Sequence, residues 1–282
     1  MNKLEKDISP KVSLQEIWSH KNYAKYKNAE WDWWHLPFSD CLCAKRIKFT
    51  SLKNRIENKS ILELGSAMGQ AYQFMKSSGL VDVSRYSGIE VSRMGVNASR
   101  ERFPEANWIH ADFTKYSLKD DYDYSFERHA IHHMENPLEQ FKKVIQKTTC
   151  TFQTLFRGRT RGATVSDLKL GRFTEAEGEI YLNVINLFDV LRIGLNSGFN
   201  HFGVMFCGLH EPISTDPQSS IFLDSSIQKE GSLVSRFAVR MVKCGKNHAP
   251  YFSTGIRFWR DSWSISALSF KAAVNYFFKD YE

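Results

Sequence analysis

The chain has 282 residues, of which 42% are hydrophobic, 24% charged and 14% aromatic. This composition excludes a disordered or collagen-like chain, and the length favours one large domain with an appended segment. The 38 basic and 31 acidic side chains give a net charge of +7, which favours an anionic partner over a cationic one.

The sequence shows no signal for membrane insertion or export. No stretch approaches the roughly 20 apolar residues that cross a bilayer, and the opening MNKLEKDISPK does not resemble a signal peptide. We therefore expect a cytoplasmic protein that does not bind a membrane. Five cysteines without CxxC spacing predict reduced thiols rather than a disulfide scaffold: Cys41, Cys43, Cys150, Cys207 and Cys244.

Residues 1–57 predict an N-terminal cap with helical spacing and many aromatic side chains. The stretch WDWWHLPF places Trp31, Trp33 and Trp34 within four residues. Such a cluster either forms a small hydrophobic core packed on the main domain or closes over a bound ligand. In the second case Trp34 contacts the substrate.

From Ser60 onward, short apolar runs alternate with helical patterns. SILELG predicts a buried strand, QAYQFMKSSG a helix that ends at Gly79, and RYSGIEVS a second strand. Further strands are predicted over 107–110, 123–126 and 149–156, and helices over 93–103 and 137–147. This alternation predicts a parallel sheet covered by helices.

The last third of the chain predicts a helix over 181–196 and two strands, HFGVMFC and SRFAVRMVKC. No helical pattern of sufficient length separates these strands, so we expect them to pair antiparallel. Residues 58–245 then form the main domain and residues 246–282 a C-terminal extension. Its tail has apolar residues from Phe270 to Tyr281 at helical spacing, which predicts an amphipathic helix that packs on its own domain or in a homodimer.

The segment ILELGSAMGQ, residues 61–70, predicts a ligand-binding turn between a strand and a helix. Small residues there let the backbone approach a ligand, and the amides at the helix N-terminus favour a carboxylate or phosphate. The spacing of Gly65, Ala67 and Gly69 differs from GxGxxG, which disfavours a dinucleotide. Glu90 ends the second strand, where a carboxylate can accept hydrogen bonds from both hydroxyls of a ribose.

These residues resemble the first motif of the class I S-adenosylmethionine-dependent methyltransferases, acidic-x-Gly-x-Gly-x-Gly, with Ala67 in place of the middle glycine. Glu90 matches the acidic residue that ends the family's second strand. Asp112 in HADF matches its acidic residue beside the adenine, with Phe113 against the base. Residues 122–146 resemble the fourth-strand motif and following helix of small-molecule members.

The resemblance implies an α/β fold, a Rossmann-like three-layer sandwich with a mixed seven-stranded sheet, and S-adenosylmethionine as the cofactor. It implies these cofactor-binding residues: Glu63, Gly65, Ser66, Ala67, Gly69, Glu90, Asp112, Phe113 and Glu127.

Methyl transfer to a hydroxyl requires alignment of the acceptor and removal of its proton. His129, His132 and His133 follow the fourth strand and are the candidate bases, since a histidine titrates near neutral pH. Three histidines within five residues also suggest a metal site. No carboxylate stands at regular ligand spacing beside them, so we expect no metal.

Two further segments are candidates for substrate binding. RGRTRG, expected just beyond the fifth strand, carries Arg157 and Arg159, whose guanidinium groups suit a phosphate or carboxylate. A solvated loop is the alternative. GLHEPIS carries His210, which either reaches the substrate or belongs to a turn fixed by Pro212.

We therefore expect a methyltransferase that acts on oxygen or nitrogen of a small anionic molecule, sugar-containing or phosphorylated. The charge and the arginines leave an RNA methyltransferase as an alternative, which the absence of an NPPY-like tetrapeptide disfavours because FERH stands in its place. Ala67 leaves a non-catalytic Rossmann-like binding protein as a second alternative. A nucleotide-sugar oxidoreductase is a third.

Overall fold

Strand β1, Ile61–Leu64, lies inside the parallel half of the sheet in the computed structural model. It pairs in parallel with β2, Tyr86–Glu90, on one side and with β4, Tyr122–Arg128, on the other. β3, Asn107–His110, pairs with β2, and β5, Thr148–Arg159, pairs with β4. All residues of β1 and β2 are buried, as expected for parallel strands covered on both faces.

The structure describes residues 58–77, 85–160, 162–164, 168–170, 179–181, 183–207, 234–243, 255–259 and 262–266. The predicted cap over residues 1–57, including Trp34, lies outside the described residues. His210 and the predicted helix from Phe270 to Tyr281 also lie outside them. The division of the chain at residues 57 and 245 stays a prediction.

The second half of the sheet is antiparallel. β10, Val234–Val242, runs antiparallel between β5 and β9, His201–Cys207. The order β3-β2-β1-β4-β5-β10-β9 is the mixed seven-stranded sheet that the sequence predicts, and within it β10 is reversed. A hairpin of β11, Gly255–Trp259, and β12, Ser262–Ser266, extends this sheet beyond β9 and lies within the predicted C-terminal extension.

Helices cover both faces of the sheet and give the expected three layers. Helix α1, Gln70–Ser77, and α2, Arg93–Arg102, contribute to a core with Ile61, while α3, Pro137–Gln146, and α4, Leu187–Asn196, pack on the opposite face. Side chains alternate between the faces along β1 because a strand has a period of two. Among the described residues, no helix is long and apolar enough to cross a membrane.

Two sequence predictions need correction. The helix predicted over 181–196 begins only at Leu187, because the Asn186 side chain accepts hydrogen bonds from the amides of Phe188 and Asp189 and so caps the helix there. Ahead of it lie β7, Glu179–Tyr181, which pairs with β6, Leu168–Leu170, and the short β8, Ile185–Asn186.

The second correction concerns the fifth strand. β5 continues three residues past the predicted end at Phe156, because β10 pairs with it as far as Arg159. Arg157 and Arg159 are therefore strand residues and do not belong to a loop beyond the strand.

The packing beneath the turn after β1 can be tested at Gly88 in β2. A Cβ atom at Gly88 would lie 2.6 Å from the Trp108 ring and 2.9 Å from the Ser66 Cβ atom. We expect Gly88→Ala to lower the free energy of unfolding by about 1–3 kcal/mol, the usual effect of overpacking. The measurement is urea unfolding, with Asn97→Ala on the exposed face of α2 as a control that stays within about 0.5 kcal/mol of wild type. Equal stability of both variants would show that the packing at Gly88 is loose.

Candidate functional site

The candidate site lies at the C-terminal edge of the parallel strands. The strand order reverses at β1, with β2 and β3 on one side and β4 and β5 on the other, and a crevice forms beyond the carboxyl ends of the strands at such a switch point. A cavity of about 110 Å³ occupies this edge. The residues that line it come from the last residues of β2 and β4 and from the segments that follow β1, β2, β3 and β4: Gly65, Ile89, Glu90, Val91, Ala111, Asp112, Phe113, Arg128, His129, Ala130, His133 and Met134.

The turn after β1 requires glycine at its first position. Gly65 has φ +67° and a Cβ atom there would lie 2.6 Å from the Ala130 Cβ atom, so a side chain would collide with the turn after β4. The amides of Gly65 and Ser66 both donate to the Ile89 carbonyl oxygen, at 2.8 and 3.1 Å. These bonds fix the turn against β2.

Ala67 occupies the same left-handed region, with φ +50°, and so does Gly69, with φ +77°. The left-handed conformation costs about 1–2 kcal/mol for a residue with a Cβ atom, so the backbone at Ala67 is strained where a glycine would not be. Its amide donates to the Glu90 carboxylate and Ser99 Oγ donates to its carbonyl oxygen, at 3.4 Å. Ala67 and Gly69 do not line the cavity.

Glu90 is the buried carboxylate of the cavity, with 6% of its surface exposed. Its oxygens accept hydrogen bonds from the amides of Ala67 and Ser92, each at 2.8 Å. Burial raises the pKa of the carboxyl, and these amides oppose that rise. The Val91 amide is a third backbone donor to this carboxyl, and a carboxylate accepts about four hydrogen bonds in all, so Glu90 retains capacity for a hydroxyl donor of a ligand.

Glu63 lies behind the cavity. Its carboxylate accepts a hydrogen bond from the Tyr86 hydroxyl and pairs with Arg128, whose Nη2 atom lies 3.4 Å from Oε1. Burial raises the pKa of Glu63 and the Arg128 charge opposes it. Arg128 lines the cavity. The carboxylate therefore orients this guanidinium group, and direct contact between Glu63 and a cofactor stays a prediction.

Glu127 and Ser66 also lie behind the cavity. The Glu127 carboxylate accepts hydrogen bonds from Thr154 Oγ1 and from the amides of Ala130 and Ile131, at 2.9 and 3.2 Å, so it fixes the turn after β4. Burial raises its pKa, and the Thr154 hydroxyl opposes that rise. The Ser66 side chain is buried against Gly88.

Asp112 and Phe113, by contrast, line the cavity, and their contact with an adenine stays a prediction. Asp112 Oδ1 accepts hydrogen bonds from the amide and hydroxyl of Thr114, at 2.9 and 2.7 Å. The ammonium group of Lys143 lies 4.4 Å from the centre of the Phe113 ring and donates to the Phe113 carbonyl oxygen. These contacts hold the turn after β3 in one conformation.

The three candidate histidines differ in position. His129 and His133 line the cavity, whereas His132 is buried between them, with ring centroids 5.0 Å from His129 and 4.1 Å from His133. His129 has φ +58°, and its amide donates to the Leu155 carbonyl oxygen at 2.8 Å. Only two of the three candidates can thus reach a ligand in this cavity.

His133 has a defined protonation state. Its Nδ1 atom lies 3.0 Å from the Tyr181 carbonyl oxygen, which can only accept, so Nδ1 carries the proton and Nε2 has the lone pair. Burial lowers the pKa of His133 to about 4; the hydrogen bond to Tyr181 opposes this shift and the Arg157 charge adds to it. The ring is therefore neutral at pH 7.

The two arginines predicted to bind substrate have different environments. Arg159 is 3% exposed and donates to the Ala163 carbonyl oxygen, so it supports the backbone after β5. Arg157 is partly exposed and lies near enough to His133 to affect its pKa. Arg157 is thus the better placed of the two to meet an anionic ligand beside His133.

Sequence reasoning missed three residues: Arg128, Tyr181 and Asn183. Arg128 is adjacent to the predicted Glu127 at the end of β4, and its place before the histidines was a usable signal. Tyr181 and Asn183 reach the turn after β4 from a segment about 50 residues away, which no local pattern predicts.

Comparison with known proteins gives a match in the central part of the chain. Residues 62–148 match the family model of the methyltransferase domain. A search of curated proteins finds no match.

Among solved structures, the chain is similar to an S-adenosylmethionine-dependent methyltransferase from Mesorhizobium loti, with 16% identity, 69% of this chain and 96% of that chain covered, and a TM-score of 0.45. It is similar to the N-terminal domain of EvdMO1 with SAH bound, at 13% identity and a TM-score of 0.48. This match covers 69% of this chain and 79% of that chain. It is also similar to DhpI in its SAH complex, at 12% identity and a TM-score of 0.45. This match covers 83% of this chain and 100% of that chain.

The lowered pKa of His133 predicts a pH-dependent contribution to stability. The unfolded chain takes up a proton on this residue near pH 6.5 and the folded chain only near pH 4, so its contribution is complete above pH 6.5 and is lost as the pH falls toward 4. In urea unfolding, the stability of wild type relative to His133→Gln should fall by roughly 3 kcal/mol between pH 7 and pH 4. Comparing the two proteins at each pH cancels the other titrating groups. A difference independent of pH would contradict a buried neutral His133.

Proposed function

We propose that this chain is a class I S-adenosylmethionine-dependent methyltransferase and that it methylates an oxygen or nitrogen of a small anionic molecule that contains a sugar or a phosphate. The observation that carries the proposal is the convergence of Gly65, Glu90, Asp112 and His133 on one cavity at the ends of parallel strands. Each of the first three comes from the end of a different strand or from the turn after it.

The residues of the cavity fit S-adenosylmethionine. The absence of a Cβ atom at Gly65 leaves room beside Ala130, and Glu90 keeps an acceptor site for a ribose hydroxyl. The Phe113 side chain offers an apolar contact for the adenine, and Asp112 offers a carboxylate acceptor for its amino group. These four residues are the ones that we assign to the cofactor.

S-adenosylmethionine, when bound, supplies an electrophilic methyl group. The chain must then orient the acceptor and receive its proton. His133 can take the second task because its ring is neutral, lines the cavity and has its lone pair on Nε2. Its lowered pKa makes it a weaker base than an unperturbed histidine. His132 is buried away from the cavity and His129 is the remaining candidate.

The anionic character of the acceptor is supported by the charges near His133. Arg157 lies within electrostatic range of this histidine, and Arg128 lines the same cavity. Guanidinium groups bind carboxylates and phosphates through paired hydrogen bonds. The net charge of +7 favours the approach of an anion.

Cofactor binding can be tested at Glu90 by calorimetry with S-adenosylhomocysteine. Glu90→Gln removes the charge that receives a ribose hydroxyl, and a hydrogen bond to a charged group contributes about 1.5–3 kcal/mol, so we expect the affinity to fall roughly 10- to 100-fold. Glu101→Gln, on the exposed face of α2, is the matched control and should bind like wild type. The ribose role fails if Glu90→Gln binds as tightly as wild type, and the whole proposal fails if wild type binds nothing at millimolar ligand.

Catalysis can be tested with cofactor that carries a tritiated methyl group and a cell extract divided into small anionic molecules, other small molecules and RNA. We expect label in the small anionic fraction, and a rate lowered about 100-fold or more in His133→Gln, the usual range for loss of a general base. Its affinity for S-adenosylhomocysteine should match that of wild type. Label in RNA alone would contradict the acceptor class, and cofactor binding without labelling of any fraction would favour a non-catalytic protein.

A further inference from the structure

The segment between β5 and α4 returns to the turn after β4. It contains the two-stranded sheet of β6 and β7, and Tyr181 is the last residue of β7. Three hydrogen bonds join this segment to residues 132–134: His133 Nδ1 to the Tyr181 carbonyl oxygen, the Asn183 amide to the His132 carbonyl oxygen, and Asn183 Nδ2 to the Met134 carbonyl oxygen. All three bonds surround one cavity-lining histidine.

Asn183 is the fully buried member of this set, with 0% of its surface exposed. Its amide and its side-chain amide donate to the carbonyl oxygens of His132 and Met134, at 3.0 and 2.7 Å. The residue therefore binds the backbone on both sides of His133. This double contact fixes the position of the His133 ring relative to the Tyr181 carbonyl group.

The bond to Tyr181 determines which nitrogen of His133 carries the proton. A neutral imidazole has its proton on Nδ1 or on Nε2, and a carbonyl acceptor at 3.0 Å from Nδ1 selects the first form. If the turn moved by about 1 Å, this hydrogen bond would be lost and the second form would become populated. A histidine with the proton on Nε2 cannot accept a proton there.

We propose that Asn183 is a positioning residue, which holds the turn of residues 132–134 against the Tyr181 carbonyl group so that His133 keeps a proton-free Nε2 atom for the methyl acceptor. This inference rests on the proposed function. As the acceptor oxygen or nitrogen bonds the methyl carbon, the carbon–sulfur electron pair remains on sulfur and the acceptor's proton passes to Nε2. His133 then holds two protons and releases one to solvent.

The first test measures the tautomer of His133. It uses two-bond proton–nitrogen NMR correlations on the full chain with ¹⁵N-labelled histidine at pH 7.5. We expect His133 in the Nδ1-protonated form in wild type and a mixture of forms in Asn183→Leu. His110 is an internal reference with the opposite pattern, because its Nε2 atom lies 3.1 Å from the Val91 carbonyl oxygen. His133→Gln and His110→Gln assign the signals.

Two further variants keep the NMR test conclusive. Asn97→Leu makes the same substitution on the exposed face of α2 and should leave the His133 signals unchanged. Should Asn183→Leu fail to fold, Asn183→Asp has nearly the same shape and lacks the side-chain donor. The inference is overturned if wild-type His133 is protonated on Nε2, or if its tautomer is unchanged in a folded Asn183 variant.

The second test is a double-mutant cycle on methyl transfer. We expect Asn183→Leu to lower kcat about 10-fold in the wild-type background and less than about 2-fold in His133→Gln, because its effect passes through His133. Affinity for S-adenosylhomocysteine should be the same in all four proteins. Equal effects of Asn183→Leu in both backgrounds would overturn the positioning role.

The two tests separate this inference from the proposed function. The tautomer measurement needs neither cofactor nor acceptor. If wild type fails to bind S-adenosylhomocysteine, the proposed function is wrong, and the catalytic part of the inference falls with it. If wild type binds and turns over but either test gives the contrary result, only the inference is wrong.

Discussion

The close approach of Gly65 to Ala130 is the contact on which the rest of the site depends. It brings the turn after β1 within van der Waals distance of the turn after β4, and only a residue without a Cβ atom permits this at φ +67°. The Gly65 amide then reaches the Ile89 carbonyl oxygen in β2. Three turns are thereby joined around one cavity, and any side chain at Gly65 would separate two of them.

Three buried carboxylates stabilise these turns, each in a different way. Glu63 pairs with Arg128 on the side away from the cavity. Glu127 accepts a hydrogen bond from an amide in the turn after β4, and Glu90 accepts hydrogen bonds from amides in the turns after β1 and β2. Burial raises the pKa of all three, and hydrogen-bond or charge partners oppose the rise in each case. Only Glu90 also lines the cavity, so it alone combines a structural role with a place in the site.

The sequence predicted the fold well because its signals are local. The alternation of strand and helix patterns from Ser60 onward identified β1, α1 and β2, and the structure pairs β1 with β2 in parallel as that alternation predicts. The roles of Glu63 and Glu127 were harder to predict, because their partners Arg128 and Thr154 come from neighbouring strands distant in sequence. The motif spacing alone does not distinguish a carboxylate that faces a ligand from one that faces the core.

The errors in the prediction have the same physical origin. β5 extends to Arg159 because β10, about 75 residues later, supplies its hydrogen-bond partners. The segment before α4 contacts the histidine turn through Tyr181 and Asn183. Their hydrogen bonds to this turn depend on distances in the folded chain, which the spacing of residues in the sequence does not predict. Long-range pairing therefore determines which of the predicted candidates reach the cavity.

The turn that carries the histidines is constrained from both sides. His129 and Asn136 bracket it in the left-handed region, a conformation that costs energy and persists only where surrounding contacts impose it. Glu127 supplies those contacts from the β4 side and Asn183 from the opposite side. Because neither side can relax without losing buried hydrogen bonds, the turn is preorganised before any ligand binds. A preorganised group loses little free energy to reorganisation during the reaction, which is the property that a general base requires.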